Sequence, residues 1–433
     1  MQPRNSLAAR AYGLALRPIV DSLRSFKGNA RTCIIVEPMW GIPYNLYVPY
    51  ASLYMLSLGV SETGIGVIAA VGMGLQMVWS LVAGWITDRF GRRRTSLLFD
   101  LLSWTVPTLL WAFARDIRWF FLAAVLNSAV RVVHISWSCL FIEDAPPDTR
   151  VRLYTWISVA GTLAGLFAPL AGLLVVHFGL VSATRGLYLF AFASMTAMFF
   201  IRNAYCTETA VGKEKMAAAK GAKIGEALKE YRAAAASLFG SREATIALLL
   251  AILSNIHLQT RNSFLSVVMT RGIGLSEGLI AVFPPLASAT TLAVYLLVIP
   301  RIVRIRSALT LTLLLNVAAN LVLLLAPAAS GSPGAAIVAV VVGTLGAAVG
   351  MGVTGPVIEA VLANSVDDKK RAVILSIVYT LMYGVSAPFG WIAGAMAEVG
   401  PRLPALLAAL AMGAAAVLAL MLRKDTAEGS KAA

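Results

Sequence analysis

A few ionisable and aromatic side chains lie inside long apolar segments of this sequence. Glu37 is followed by Trp40, Tyr44 and Tyr47 at intervals of three, seven and ten residues, which places all four on one face of a helix. A carboxylate beside ring faces can bind a lipophilic cation, and burial favours the protonated carboxyl, which suits Glu37 to carry a proton. Other interpretations stay open. The rings can serve for packing between helices, and Glu37 can pair with Arg131 or extend to the membrane surface.

Two arginines lie near the middle of apolar segments, one in each half of the chain. Arg131 shares a helical stripe with Asn127, four residues before it, and His134, three residues after it. Arg261 lies in a segment with further polar side chains, namely Asn255, Gln259 and Asn262. Two facing guanidinium groups could clamp a carboxylate or a phosphate. The alternatives are a structural ion pair at Arg131 and polar contacts between helices around Arg261.

The elements that position these residues follow from the composition. Of the 433 residues, 59% are apolar and 13% are charged, whereas soluble domains carry about 25% charged residues. Apolar blocks of about 20 residues match a hydrocarbon core of about 30 Å, and segments in lipid must pair their own backbone groups. We predict an all-α membrane protein with twelve transmembrane helices. These spans, numbered 1 to 12, are residues 32–58, 66–87, 95–114, 119–142, 153–178, 186–204, 244–270, 276–299, 307–327, 335–362, 373–397 and 403–422.

The net charge of +15 does not indicate a nucleic-acid partner, because the basic residues are distributed asymmetrically. With these spans, 29 of the 36 Lys and Arg residues lie on one side of the membrane and 5 on the other. This is the positive-inside pattern. It predicts a multi-pass protein of the plasma (inner) membrane with both termini in the cytoplasm.

Internal similarity divides the chain into two halves of six spans. Gly59-Val-Ser-Glu62 after span 1 matches Gly274-Leu-Ser-Glu277 after span 7. We therefore predict two pseudo-symmetric six-helix bundles that rock around a shared central site, which is the geometry of alternating access. The predicted parts are a cytoplasmic amphipathic N-terminal segment (1–31), an N-terminal bundle (32–204), a partly helical cytoplasmic linker (205–243), a C-terminal bundle (244–422) and a cytoplasmic tail (423–433).

The loop between spans 2 and 3 carries the most specific motif, Gly84-Trp-Ile-Thr-Asp88-Arg89-Phe-Gly91-Arg92-Arg93-Arg94. It resembles the signature loop of the major facilitator superfamily, whose fold has twelve helices in two bundles. The segment from Glu143 to Arg150 resembles an acidic–proline–arginine segment of the same family. A copy in the second half, Pro300 to Arg306, keeps the arginines but lacks Asp and Gly. The resemblance implies that Glu143 or Asp144 bonds the arginines near Asp88, in a cytoplasmic gate made of Gly84, Asp88, Arg89, Gly91, Arg92, Asp144 and Arg150.

The chain is most similar to the twelve-helix drug/proton antiporters of that superfamily. Arg131 followed by His134 resembles a span-4 motif linked to proton coupling, although Ile135 replaces the usual glycine. Span 5 resembles the antiporter glycine–proline motif, with Ala168 in place of a glycine.

The resemblance implies a secondary active transporter that works by alternating access as a monomer. We expect proton-coupled export of amphipathic or drug-like small molecules. The alternative is uptake or exchange of a small anionic metabolite through Arg131 and Arg261, and a non-transporting receptor or scaffold is a remote alternative.

No residue pattern predicts an enzyme, a cofactor or a metal site. The sequence has no evident nucleophile–base or paired-carboxylate arrangement, and its three histidines lack metal-ligand spacing. Cys33, Cys139 and Cys206 fall near the reducing side and are expected to be free thiols. Asp100 and Glu359 lie near cytoplasmic helix ends, where we expect gating or capping roles.

Overall fold

A computed structural model of the protein describes residues 26–145, 150–218, 239–299, 302, 304–364 and 371–422. These residues form helices joined by short turns, with no strand among them. They confirm the all-α membrane fold of twelve helices in two bundles. Most of the predicted N-terminal segment, the middle of the linker and the predicted tail lie outside the described residues.

The first bundle contains spans 1 to 6. Span 1 comprises Gly28–Val36, Pro38–Tyr47, the 3-10 turn Val48–Tyr50 and Ala51–Ser57; span 2 is Glu62–Phe90; span 3 comprises Arg92–Asp100, the π-helical turn Leu101–Thr105 and Val106–Ala112. Span 4 comprises Ile117–Asn127 and Val130–Ile142; span 5 comprises Arg150–Gly165 and Ala168–Phe178; span 6 is Leu180–Tyr205. A short helix, Ala210–Ala218, begins the linker.

The second bundle contains spans 7 to 12. Span 7 comprises Arg242–Val267 and the π-helical turn Val268–Ile273; span 8 comprises Glu277–Ile280, Phe283–Ala293 and the π-helical turn Val294–Val298. Span 9 is Ile305–Leu325, span 10 is Pro333–Asn364, span 11 is Arg371–Val399 and span 12 is Leu403–Ala419.

Not every span is a continuous apolar helix. Eight helices of the described residues are long and apolar enough to cross a membrane by themselves. Span 1 breaks at Glu37, ahead of Pro38, because proline lacks an N–H group and its ring crowds the preceding turn. Spans 3 and 8 are interrupted by π-helical turns, and span 12 has 17 residues. Such interruptions are frequent at functional sites.

The two bundles meet along spans 2 and 11 at a contact lined by glycine. A Cβ atom at Gly394 would lie 2.6 Å from the carbonyl oxygen of Glu62 and 2.9 Å from the Cα of Gly66. Gly66 in turn faces the backbone of Gly390. Helices in lipid associate through close packing, which small residues permit, so these glycines hold the bundles together.

The contact between spans 2 and 11 lies toward one end of the bundles, which we call the outer end. The turns at Gly59 and Gly274 lie at this end. Both glycines have positive φ, 82° and 89°, so the repeated tetrapeptide makes a similar turn in each half. Spans 5 and 8 also meet toward this end, where Gly172 faces the carbonyl of Gly278. The opposite end, which carries the signature loop, is the inner end.

Gly66→Ala is expected to destabilise the protein, whereas Gly74→Ala in the same span is not. A Cβ atom at Gly66 would meet the backbone of Gly390 and Gly394, while nothing lies within 4 Å of one at Gly74. Alanine favours a helix over glycine by about 1 kcal/mol, so the control variant is neutral or stabilised. The clash at Gly66 costs about 1–3 kcal/mol. Thermal unfolding in detergent measures both, and equal Tm values for the two variants would contradict the close contact.

Candidate functional site

Arg131 lies where the two bundles touch. It follows an interruption of span 4 near Ser128, and its guanidinium carbon is 4.7 Å from the ring centroid of Tyr383 in span 11. Its Nε atom is buried without a hydrogen-bond partner, and among the described residues no carboxylate forms an ion pair with it. The positive charge of the guanidinium is therefore compensated by an aromatic ring of the other half.

His134 lies one helical turn further along span 4 and also faces span 11. Its ring centroid is 6.2 Å from that of Tyr379 in an edge-on arrangement. We call Arg131, His134, Tyr379 and Tyr383 the central contact. The two basic side chains come from the first half and the two phenol rings from the second, so any relative motion of the bundles at this level changes it.

Gln259 of span 7 lines a small cavity between the halves. A cavity of about 10 Å³ is lined by Gln259 and Ser263 of span 7, Met73 of span 2, and Ser386 and Gly390 of span 11. This volume admits about one water molecule. A substrate larger than water therefore needs the bundles to separate here.

The aromatic stripe of span 1 turns away from the second half. Trp40 and Tyr44 stack at 4.7 Å, and Trp40 packs edge-on against Trp104 of span 3 at 5.2 Å. Tyr47 lies 4.8 Å from Tyr188 of span 6. The described ring partners of the stripe all belong to the first bundle, so the geometry favours packing over a cation-binding wall.

Glu37 lies near a buried ion pair. Arg202 of span 6 pairs with Asp100 of span 3, and both residues are almost fully buried. Glu37 is within electrostatic range of both groups, whereas no described contact joins it to Arg131. The expectation of a gating or capping role for Asp100 is wrong, because Asp100 lies a full helix segment inside span 3 and faces a buried guanidinium.

Arg261 faces the interior of the second bundle. Its Nη1 atom donates a hydrogen bond to Oδ1 of Asn320 in span 9 at 3.0 Å, and a small cavity beside it is closed by Pro404 of span 12. Gln259 and Ser263 are four residues apart and face the first bundle, so a residue midway between them must point to the other side of the helix. The structure therefore does not bring Arg261 to Arg131.

The remaining predicted polar residues have separate environments. Asn127 donates a hydrogen bond to the carbonyl of Ser103 at 2.6 Å, within the first bundle. Asn262 is exposed. Asn255 is buried, and its amide nitrogen has no hydrogen-bond partner.

The signature loop is organised around Arg92. Gly91 has φ of 83°, and the turn there brings Nη1 of Arg92 within 2.9 Å of Asp88. Glu143 accepts hydrogen bonds from Nε and Nη2 of Arg92 at 3.0 Å each. Of the two acidic residues that the resemblance implied, Glu143 is thus the partner of the arginine. Arg89 lies over the ring of Trp85 at 5.3 Å.

The loop also binds the start of the linker. The carboxylate of Glu208 accepts hydrogen bonds from the backbone N–H groups of Arg92 at 2.9 Å and Arg93 at 3.0 Å, which caps the first turn of span 3. Asp144 accepts one from the N–H of Ala210 at 3.1 Å. The sequence analysis missed Glu208, because its partners lie more than a hundred residues away.

The contacts of the predicted gate lie within the first half and the linker. No hydrogen bond or ion pair of the described residues joins Asp88, Arg89, Arg92 or Asp144 to the second half. Gly84 faces open space, and the side chain of Arg150 lies outside the described residues. In this conformation the loop holds the start of the linker, and its arginine bonds Glu143 within the first half.

Residues 40–352 match the family model of the Major Facilitator Superfamily. The chain belongs to the major facilitator superfamily. It is a multi-pass membrane protein and a secondary transporter of small molecules.

Similar proteins agree with this family. An uncharacterized MFS-type transporter of Bacillus subtilis, YqjV, is 23% identical over 154 residues, which cover 35% of this chain and 37% of that relative's length. The solved structure of a point mutant of the nucleoside transporter NupG has a TM-score of 0.71 and 14% identity, over 91% of this chain and 99% of that one. A POT family transporter in complex with 5-aminolevulinic acid has a TM-score of 0.67 and 15% identity, over 90% and 94%. At these identities the structural likeness shows the fold alone.

The outer end of this superfamily member is closed by polar contacts between the halves. Arg271 at the end of span 7 pairs with Glu62 at the start of span 2. Thr63 donates a hydrogen bond to Glu398 of span 11. The sequence analysis used Glu62 only as part of a repeat, although charged residues at the same end of both halves were a usable signal for such a contact.

Arg271→Gln is expected to expose the centre to the outer side more often. The side chain of Arg271 is 48% exposed and that of Glu62 12%, so the pair contributes at most about 1 kcal/mol, which is about fivefold in population. A cysteine placed at Ser263 in a background free of the native cysteines reports this opening through labelling by a membrane-impermeant maleimide. Labelling should be up to fivefold faster in Arg271→Gln and unchanged in the exposed-arginine control Arg115→Gln. Equal labelling rates in the unsubstituted background, Arg271→Gln and Arg115→Gln would contradict a role of the Arg271–Glu62 pair in closing the outer end.

Proposed function

We propose that this transporter carries an amphipathic organic anion, which binds Arg131 between the two bundles. The observation that supports this is a half-buried guanidinium at the contact between halves, whose Nε atom is buried without a hydrogen-bond partner, which lies over the ring of Tyr383 and which has no ion pair to a described carboxylate. A charge at mid-membrane costs roughly 2.5–3.5 kcal/mol on insertion scales, and a desolvated cation–π contact returns about 2 kcal/mol. An anionic ligand makes a stronger, charge-assisted partner.

The surroundings favour a ligand with an aromatic or apolar body. Tyr379 and Tyr383 present aromatic rings from span 11, and Met73 of span 2 lines the small cavity between the halves. When the bundles separate, the carboxylate or phosphate of a ligand can take the place of the Tyr383 ring at Arg131. Its apolar part then packs against the rings.

The contacts of Glu37 favour the anion over a lipophilic cation. The carboxylate lies near Arg202, and the rings of Trp40 and Tyr44 pack against span 3. A cation would have to compete with a buried arginine for Glu37. Export as the direction of transport, and the drug/proton antiporter branch, stay predictions from the sequence.

Arg131→Gln is expected to weaken exchange of organic anions by about 10- to 100-fold, because a hydrogen bond to a charged group contributes about 1.5–3 kcal/mol. Arg131→Lys should weaken the exchange less than Arg131→Gln, because lysine keeps the positive charge although it lacks the planar guanidinium group. Counterflow of labelled aromatic carboxylates in proteoliposomes measures this, with Arg115→Gln as the control. Unchanged anion exchange in Arg131→Gln, or exchange of cations but not of anions by the native protein, would overturn the proposal.

We also propose that protons drive this transport through Glu37. Two carboxylates, Glu37 and Asp100, lie near one guanidinium, Arg202. With both carboxylates ionised the group carries one negative charge in a largely buried region, and a single bound proton neutralises it.

Glu37→Gln is expected to keep counterflow at equal pH and to lose accumulation driven by a pH gradient. The amide is a neutral mimic of the protonated carboxyl, so substrate exchange persists without proton movement. Glu243→Gln, an exposed acidic residue at the inner end of span 7, serves as control. Gradient-driven accumulation that survives in Glu37→Gln would exclude Glu37 as the proton carrier while leaving the anion site intact.

A further inference from the structure

A groove of about 580 Å³ lies at the inner end of the second bundle, away from the central contact. Span 9 forms one wall of the groove, and Leu420, just after span 12, forms part of the other. The degraded copy of the signature loop, which the transport proposal does not use, leads directly into it. This groove is separate from the substrate site, because its lining residues all belong to the second bundle.

The lining of the groove changes from basic to apolar along span 9. Arg304, Arg306 and Ser307 lie at the inner end, while Leu311 and Leu314 follow one and two turns deeper. Ser307, Leu311 and Leu314 share one helical face by their spacing of four and three residues. The two leucines are 69% and 51% exposed, so their side chains face the lipid acyl region.

The corresponding loops of the two halves differ in the groups that surround their arginines. In the first half, Arg92 is 3% exposed and is enclosed by the carboxylates of Asp88 and Glu143. In the second half the sequence has no Asp at the place of Asp88, and Arg304 is exposed. Arg306 donates a hydrogen bond to the carbonyl of Leu420, which turns its guanidinium toward the groove wall. Among the described residues, the exposed Arg304 of the second half thus contrasts with the enclosed Arg92 of the first half.

We propose that this groove is a binding site for an anionic phospholipid, with the phosphate at Arg304 and Arg306 and an acyl chain along Leu311 and Leu314. A guanidinium binds phosphate through two parallel hydrogen bonds. The hydroxyl group of Ser307 lines the same end of the groove and can donate to a remaining phosphate oxygen, whereas the hydroxyl group of Thr310 donates to the carbonyl of Arg306. The site lies on the predicted cytoplasmic side, where leaflets carry anionic lipid and basic pockets between helices bind such headgroups.

The test is lipid binding by the purified full-length protein, measured as thermal stabilisation and by native mass spectrometry. Phosphatidylglycerol should bind about tenfold more tightly than phosphatidylcholine of the same chain length, because both carry the phosphate but the choline ammonium of the latter neutralises it and is repelled by the two arginines. Arg304→Gln should reduce this preference several-fold, and the double variant with Arg306→Gln should abolish it. The control is the double variant Arg115→Gln with Arg118→Gln, two exposed arginines of the opposite end, which should keep the preference.

Soluble glycerol phosphate distinguishes a lipid from a free phosphate. It should not compete at millimolar concentration, because it lacks the chain that contacts Leu311 and Leu314. Equal phosphatidylglycerol binding by the native protein and Arg304→Gln would overturn the site, and full competition by glycerol phosphate would overturn the assignment to a lipid. Arg304 is exposed, so its substitution leaves the fold intact even where the Arg306 variant is unstable. Neither outcome depends on anion transport, which counterflow measures separately.

Discussion

A guanidinium group in hydrocarbon needs a partner, since an uncompensated charge there costs several kcal/mol. The described spans supply partners of different kinds: Asp100 for Arg202, Asn320 for Arg261 and Tyr383 for Arg131. Each of the first two pairs lies within a single bundle, so a rocking motion of the bundles preserves it. The third joins the bundles, so separation at that level removes the ring from Arg131. Compensation of this charge and the motion of the bundles are therefore coupled, and the proposed role of a bound anion is to maintain the compensation while the bundles move.

The architecture was predictable because its determinants are local. Each span must satisfy its own backbone in lipid, so apolar length alone predicted most spans to within a few residues. Gly91 is part of the loop motif, and glycine permits the positive φ of the turn found there. The resemblance included Glu143 among the partners of the loop arginines. The interruptions in spans 3 and 8 had no comparable signal, because the π-helical turns there contain no proline and no glycine.

The orientation of the helix faces was harder to predict. Helical spacing identifies which residues share a face but not which neighbouring helix that face meets. For that reason the stripe from Trp40 to Tyr47 was correctly grouped yet packs inside the first bundle. Arg261 was correctly identified as a membrane arginine yet faces span 9. The same limit applies to the signature loop, whose partners in the linker depend on contacts across more than a hundred residues. Inference from sequence was most reliable for what each segment is, and least reliable for what each segment touches.

The central claim is that the site between the bundles selects negative charge. The most direct measurement is ligand-induced thermal stabilisation of the purified protein by matched triplets of aromatic compounds, each as carboxylate, neutral amide and amine. Because only the carboxylate can form a charge-assisted pair with Arg131, we predict that at least one carboxylate stabilises the protein at about tenfold lower concentration than its amide. The amines should have no effect. Stabilisation by amines, with none by the matching carboxylates, would contradict the account.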